Sequence, residues 1–252
     1  MSAYYVQSFK DSFNKDVLNG ATKANLLRLL RSIDLVGKST HEESGNIDRK
    51  AFARFACGST NIFSKREYKE ADTSAVSILI DCSGSMSTDN RSHFAQDVAV
   101  QLVKTFDKAK VRNRVFGYDT PRRTQNENVR FYPFKHWNQS MQSAIPSLGY
   151  IHVSPQENSP DYSAIKLSLE DLRNQPERKK FLIILSDSES MHPEHMKYLD
   201  LLADKLGIKI IAIGIKSQET LKCFKHAIAV KDLSEMGGAV FNKFLSTLKG
   251  RK

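Results

Sequence analysis

AVSILIDCSGSM, residues 75–86, joins a short apolar run to a polar turn. Residues 75–80 are nearly all apolar, as a strand covered on both faces requires. A strand open to water on one face would alternate apolar with polar residues. The run stops at Asp81. Ser83 and Ser85 follow, with Gly84 between them to free the backbone for a tight turn. Two hydroxyls two residues apart on such a turn can face one point, and Asp81 adds negative charge. That oxygen-only set suits a hard divalent cation, Mg²⁺ or Mn²⁺, which wants octahedral oxygen ligands and keeps some of its waters.

Working downstream, strands alternate with helices. Phe94, Val98, Leu102 and Phe106 recur every four residues and predict a helix over 94–106. Residues 114–118 and 129–134 predict strands, the second at a sheet edge because Pro133 interrupts it. A helix over 161–174 places Ile165, Leu169 and Leu172 on one face. FLIIL, 181–185, predicts a central strand, 193–206 a helix, 208–215 and 227–230 strands, and 233–248 a closing helix. The expected fold is therefore α/β and Rossmann-like: a mostly parallel sheet with one antiparallel edge strand and helices on both faces. Ligands in such sheets sit at the carboxyl ends of the strands. Ser186-Asp187-Ser188 follows FLIIL and so shares that end with Asp81 if the two strands are neighbours. A third loop, 157–161, offers Asn158, Ser159 and Asp161 just before a helix.

Working upstream, Leu26, Leu27, Leu29, Leu30, Ile33 and Leu35 take helical spacing and predict a helix over 22–35. Residues 37–46 read as a loop and 47–58 as a second short helix. Residues 1–70 are thus expected as a helical extension before a domain spanning 71–252. Gly37-Lys38-Ser39-Thr40 imitates the end of a phosphate-binding loop, but Ser32 stands where the pattern needs Gly and a helix is expected where it needs a strand. His192 and His195 lack the further nitrogen or thiolate ligands that zinc needs and read as surface residues. No nucleophile elbow is present, and the Ser83 and Ser85 hydroxyls serve better as ligands than as nucleophiles.

The chain has 252 residues, 40% of them hydrophobic and 26% charged, enough for a core without disulfides. Cys57, Cys82 and Cys223 are odd in number and far apart, which excludes a disulfide framework and a CxxC zinc site. The N-terminus lacks the apolar core of a signal peptide and no apolar run is long enough to span a bilayer, so a cytoplasmic location without membrane contact is expected. The net charge is +10. Between Lys104 and Lys135 nine basic residues face three acidic ones. Such an excess attracts an acidic protein surface or a nucleic-acid backbone, or simply forms a solvated face.

ILIDCSGSM resembles the first motif of the metal-ion-dependent adhesion site in von Willebrand factor A-like domains. LIILSDSES resembles that family's later strand, where the pattern is Thr-Asp-Gly; Asp187 is kept and Ser188 replaces the Gly. The family's third ligand loop offers a Thr, and Ser159 is its match by spacing, with Asn158 and Asp161 as competitors. The resemblance thus implies a metal site built from Asp81, Ser83, Ser85, Ser159 and Asp187. Residues 45–86, with PERKKFLIILSDSE (176–189) and 226–248, are similar to the A domains of CobT-type cobaltochelatase subunits and NorD-like proteins. In that group the A-domain protein works with a ring-forming AAA+ ATPase of the MoxR/CobS kind. The resemblance therefore implies a non-catalytic partner of such an ATPase. The alternatives are a subunit acting in cobalt insertion and a nucleic-acid-associated protein using residues 104–135.

Overall fold

The computed structural model describes residues 3–15, 17–30, 33–42, 46–47, 63–70, 74–120, 128–151, 153 and 159–238. The chain divides into two compact units, Met1–Leu30 with Thr73–Lys252, and Arg31–Asp72. That division differs from the expected 1–70 and 71–252.

The first unit begins with two helices, α1 (Ala3–Asn14) and α2 (Gly20–Leu30). The smaller unit is a three-stranded antiparallel sheet of β1 (Ile33–Glu42), β2 (Asn46–Ile47) and β3 (Phe63–Glu70) in the order β1-β3-β2. Here the expected helix over 22–35 fails: it stops at Leu30, and β1 starts at Ile33 and runs through the expected loop. The apolar spacing carries on past Leu30. The β-branched and glycine-containing stretch that follows, however, suits an extended chain paired with β3, and the pairing prevails. The register slips between Leu35 and Gly37, which leaves Val36 as the extra residue of a bulge. The Gly37–Thr40 tetrapeptide lies inside this strand, not at a helix start. The helix expected over 47–58 falls outside the described residues, apart from Ile47, which ends β2.

The main sheet has six strands: β4 (Ser74–Asp81), β5 (Arg112–Asp119), β6 (Arg130–Lys135), β7 (Lys179–Ser186), β8 (Ile208–Ile215) and β9 (Ala227–Val230). Their order is β6-β5-β4-β7-β8-β9. All neighbours are parallel except β6, which pairs antiparallel with β5 at the edge. The helices are α3 (Arg91–Lys108), α4 (Met141–Leu148), α5 (Asp161–Arg173), α6 (Pro193–Lys205) and two single turns, α7 (Thr220–Cys223) and α8 (Leu233–Met236). Helix α4 was not anticipated; Ser140 caps it by accepting from the Ser143 amide, and Pro146 sits inside it. The expected closing helix over 233–248 starts at Leu233 but its described turn ends at Met236, with Gly237 as C-cap, and residues 239–248 lie outside the described residues.

Strand alternation divides the core between the two faces of this sheet. Val76, Ile78 and Ile80 of β4 join Ile183 and Leu185 of β7 beneath α3, α4 and the N-terminal helices. Ala75 and Leu79 join Leu182 and Ile184 beneath α5 and α6. Each fully buried aliphatic side chain contributes about 1.5–3 kcal/mol, so the run at 75–80 anchors both layers. Helices α1 and α2 belong to the first layer through Phe9, Leu26, Leu29 and Leu30. Gln101 of α3 donates to the carbonyls of Ser12 and Phe13, and Lys104 also donates to that of Phe13, so α1 ends on α3.

At the carboxyl end of β5 the packing leaves no room. A Cβ on Gly117 would meet the Cys82 sulfur at 2.5 Å and the Phe134 ring at 2.7 Å. Gly117→Ala must therefore push Cys82, and with it the 81–85 turn. The expected loss is about 1–3 kcal/mol of unfolding free energy, read by urea denaturation.

Candidate metal centre

Strands β4 and β7 are neighbours, with Ile80 opposite Leu185, so their following turns leave the sheet side by side. The Ser186 hydroxyl donates to Asp81 Oδ2 at 2.9 Å, and the Ser83 amide donates to Asp81 Oδ1 at 2.8 Å. The Cys82 amide donates to the Tyr118 carbonyl at 2.9 Å, which ties the turn to β5. The chain then winds into a 3-10 turn, Gly84–Asn90. Within it the Ser83 and Ser85 hydroxyls lie 3.1 Å apart. The two hydroxyls expected to face one point do so, with Ser83 buried and Ser85 half-buried.

Two further carboxylates enter. Asp187 follows Ser186 and is buried; its Oδ2 accepts from Arg91 Nη1 at 2.7 Å. Asp161, at the first position of α5, is buried too. Its Oδ1 accepts from Tyr118 at 2.5 Å and from Ser159 at 2.8 Å, and its Oδ2 from Ser190 at 2.8 Å. Tyr118 thus holds both sides of the site, its carbonyl on the 81–85 turn and its hydroxyl on α5. The sequence offers Asp161 only as a competitor to Ser159. The structure makes it the buried charge of the third loop, with the Ser159 hydroxyl donating to it. Asn158 lies outside the described residues. The place of Asp161, an acid in the first turn of a helix just behind Ser-Pro, is the signal that points to it.

Asp81 is pushed up to about 7, first by burial, then by the charge of Asp161. The hydrogen bonds from Ser83 pull it down, and Asp187 pushes it up again. Asp161 is also raised, by burial, against the hydrogen bonds from Tyr118, Ser190 and Ser159. Three like charges buried at one sheet end are costly without a counter-charge. The residues fit a divalent cation on that ground. Among the described residues no cluster of three or more His, Cys, Asp or Glu could hold a metal by itself. Every carboxylate oxygen named above already accepts a hydrogen bond. The carboxylate oxygens keep lone pairs beyond those hydrogen bonds, so the Ser83 and Ser85 hydroxyls would be ligands and the carboxylates would supply charge directly or through water.

Ser188, which stands where the resemblance has Gly, explains that pattern. Its φ is 58°, the left-handed region that glycine enters freely. Its hydroxyl is buried 2.7 Å from that of Thr220. The basic segment, by contrast, is largely folded inward. Lys135 is buried and donates to the Asn113 carbonyl, its charge disfavoured by burial and partly restored by Asp107. Arg114 is buried against Ser77 and paired with Asp171. Arg112 pairs with Glu177, Arg130 forks onto Asp119, and Lys104 donates to the Phe13 carbonyl. Of the described cations there, Lys108 and Lys110 are the exposed ones; Arg122 and Arg123 lie outside the described residues.

Two measurements check this electrostatic picture. A carboxyl raised in the folded state contributes stability below its ordinary value of 3.8, and that stability is lost as pH climbs through about 7. In the presence of a chelator, Asp81→Asn is therefore expected to melt higher than wild type by a margin that widens from about pH 5.5 to about pH 8. A margin that is flat or shrinks over that window contradicts the raised carboxyl. At Ser188 the hydroxyl and the strain separate. Ser188→Ala keeps the strain and leaves Thr220 without this partner, costing about 1–2 kcal/mol. Ser188→Gly offsets that loss by relieving the backbone and stays within about 1 kcal/mol of wild type in denaturant titration.

The fold agrees with what the chain is similar to. A search of curated proteins returned no match. Among solved structures, proximal thread matrix protein 1 from the mussel byssus superposes with a TM-score of 0.51 at 16% identity, over 71% of this chain and 47% of that one. A second structure of the mussel protein, with a zinc-occupied MIDAS motif, gives a TM-score of 0.50 at 16% identity, over 71% and 48%. The PilB minor pilin from Streptococcus sanguinis gives 0.50 at 14% identity, over 74% and 63%. The chain spans about half the length of the mussel protein, and at these identities the likeness is one of fold. Residues 75–241 match the von Willebrand factor type A domain, and the chain belongs to that family.

Proposed function

We propose that this protein is a non-catalytic, metal-dependent interaction subunit that serves a ring-forming AAA+ ATPase of the MoxR/CobS kind as adaptor or regulator in the cytoplasm. The observation that carries the reading is the pair of Ser83 and Ser85 hydroxyls, 3.1 Å apart, at a sheet end where Asp81, Asp161 and Asp187 are buried together. Held there, a divalent ion would offer an electrophilic position to a carboxylate of the partner. The chain's own residues do the rest. Asp81 fixes the turn through the Ser83 amide, Ser186 fixes Asp81, and Tyr118 and Ser190 fix Asp161. The mussel protein's MIDAS motif takes zinc. The all-oxygen donor set here favours the harder Mg²⁺ or Mn²⁺.

The kind of partner rests on the similarity of residues 45–86, 176–189 and 226–248 to CobT- and NorD-like A domains. The Gly37–Thr40 segment is part of a strand, so ATP-driven work is assigned to another chain. A role in cobalt insertion is the alternative within the same group. Nucleic-acid association is the alternative outside it, and it loses ground because Arg112, Arg114, Arg130 and Lys135 are engaged within the fold.

A pull-down from native lysate tests this, with and without EDTA, using wild type and the Ser83→Ala/Ser85→Ala variant, with mass spectrometry of the captured proteins. The expected result is an AAA+ ATPase recovered by wild type in Mg²⁺ and lost on chelation or in the variant. Equal recovery in all four samples removes the metal from the interface. Nucleic acid recovered in place of an ATPase favours the outside alternative.

A further inference from the structure

Arg91 breaks two local rules at once. It opens α3, where the helix dipole disfavours a positive charge. It follows two successive left-handed residues, Asp89 at φ 51° and Asn90 at φ 56°, of the types that enter that region most readily after glycine. Its Nε is buried without a hydrogen-bond partner. A side chain kept at such expense is kept for something other than local stability.

The geometry shows what it reaches. Nη1 donates to Asp187 Oδ2 at 2.7 Å and to Glu189 Oε1 at 2.6 Å. The Arg91 side chain is 12% exposed and that of Asp187 1%, whereas Glu189 is 51% exposed and open to solvent screening. The strained turn in front of it is fastened from outside: Lys216, also left-handed, donates to the Asp89 carbonyl at 2.6 Å. The kink therefore directs a fixed cation at the sheet end that holds the three buried carboxylates. With all three carboxylates ionised, as a bound cation would hold them, Arg91 offsets one charge and leaves two.

We infer that Arg91 is a tethered counter-cation that sets the affinity and charge preference of the metal site, leaving a deficit that a divalent ion fills. The inference rests on the metal-site reading above. Arg91 holds Asp187, so an incoming ion meets the repulsion of the guanidinium as well as the attraction of the acids. Arg91 is a positioning and specificity-determining residue, not a ligand.

The experiment is calorimetric titration of the metal-free full chain with Mn²⁺ and with Tb³⁺, comparing wild type, Arg91→Gln and Arg91→Lys, alongside melting temperatures without metal. Loss of the charge is expected to tighten Mn²⁺ binding about tenfold and Tb³⁺ binding more, because the repulsion scales with the ion's charge. The same variant is expected to melt lower without metal, so stability and affinity move in opposite directions. A residue that only braces the loop would lower both. Arg91→Lys keeps the charge and is expected to bind Mn²⁺ as wild type does. If wild type binds Mn²⁺ and Arg91→Gln binds equally or more weakly, the role of Arg91 is overturned while the metal site stands. If neither wild type nor Arg91→Gln binds either ion, the metal site falls and the inference with it.

Discussion

Three carboxylates buried at one end of a parallel sheet repel one another, and the surrounding structure is arranged to hold them together. Asp81, Asp187 and Asp161 arrive from three separate segments, the ends of β4 and β7 and the start of α5. Each is fixed by hydroxyls or amides from the other segments or from its own turn. A buried carboxylate is tolerable when its lone pairs are met, but hydrogen bonds do not cancel its charge. At Asp81 burial and the charges of Asp161 and Asp187 outweigh the hydrogen bonds from Ser83. The sheet supplies the energy that holds this conflict in place. The strands carrying Asp81 and Ser186 are central and apolar on both faces, so neither turn can retreat without opening the core.

How much of this the sequence disclosed follows from how local each signal is. The strand at 75–80 and the strand at 181–185 declare themselves by short, nearly continuous apolar runs of the kind that two-faced burial requires. Their adjacency was an inference from fold class, and the pairing of Ile80 with Leu185 meets it. The edge position of β6 was legible from Pro133 alone. The boundary after Leu30 was not legible, because Ile33 and Leu35 prolong a helical spacing that strand pairing with residues 63–70 overrides. Asp161 was half-legible. Its segment was identified, but a hydroxyl was preferred, and only the fold shows that the carboxylate is the group buried among the others. Arg91, Ser186, Tyr118 and Ser190 could not have been read, since each acts across the chain on a partner that sequence spacing does not reveal.

The basic segment is the instructive counter-case. Counting charges along 104–135 suggests one surface, yet the segment runs from a helix through a central strand to an edge strand, and its side chains are dealt to different sides. Arg112 and Arg114 lie along the Trp137 ring while pairing with Glu177 and Asp171. Lys135 turns inward to Asn113 and Asp107. A linear excess of charge becomes a patch only when the fold brings the side chains to one face, and here pairing and packing take most of them first.

The placement of backbone strain completes the account. Asp89, Asn90, Lys110, Ser188 and Lys216 have positive φ without being glycine. Four of these five belong to the segments that build the metal centre. Asp89 and Asn90 lead into Arg91, Ser188 follows Asp187, and Lys216 fastens Asp89. Each such residue costs on the order of 1–3 kcal/mol when the environment does not relieve it. A chain selected only for stability would place glycine at these turns, as the related motif does at position 188. Their persistence means that side-chain contacts hold what the backbone resists: the Ser188 hydroxyl on Thr220, the Lys216 ammonium on the Asp89 carbonyl, and the Arg91 guanidinium on Asp187. The strained turns and the crowded carboxylates therefore express one constraint, a sheet end shaped to hold charge in place.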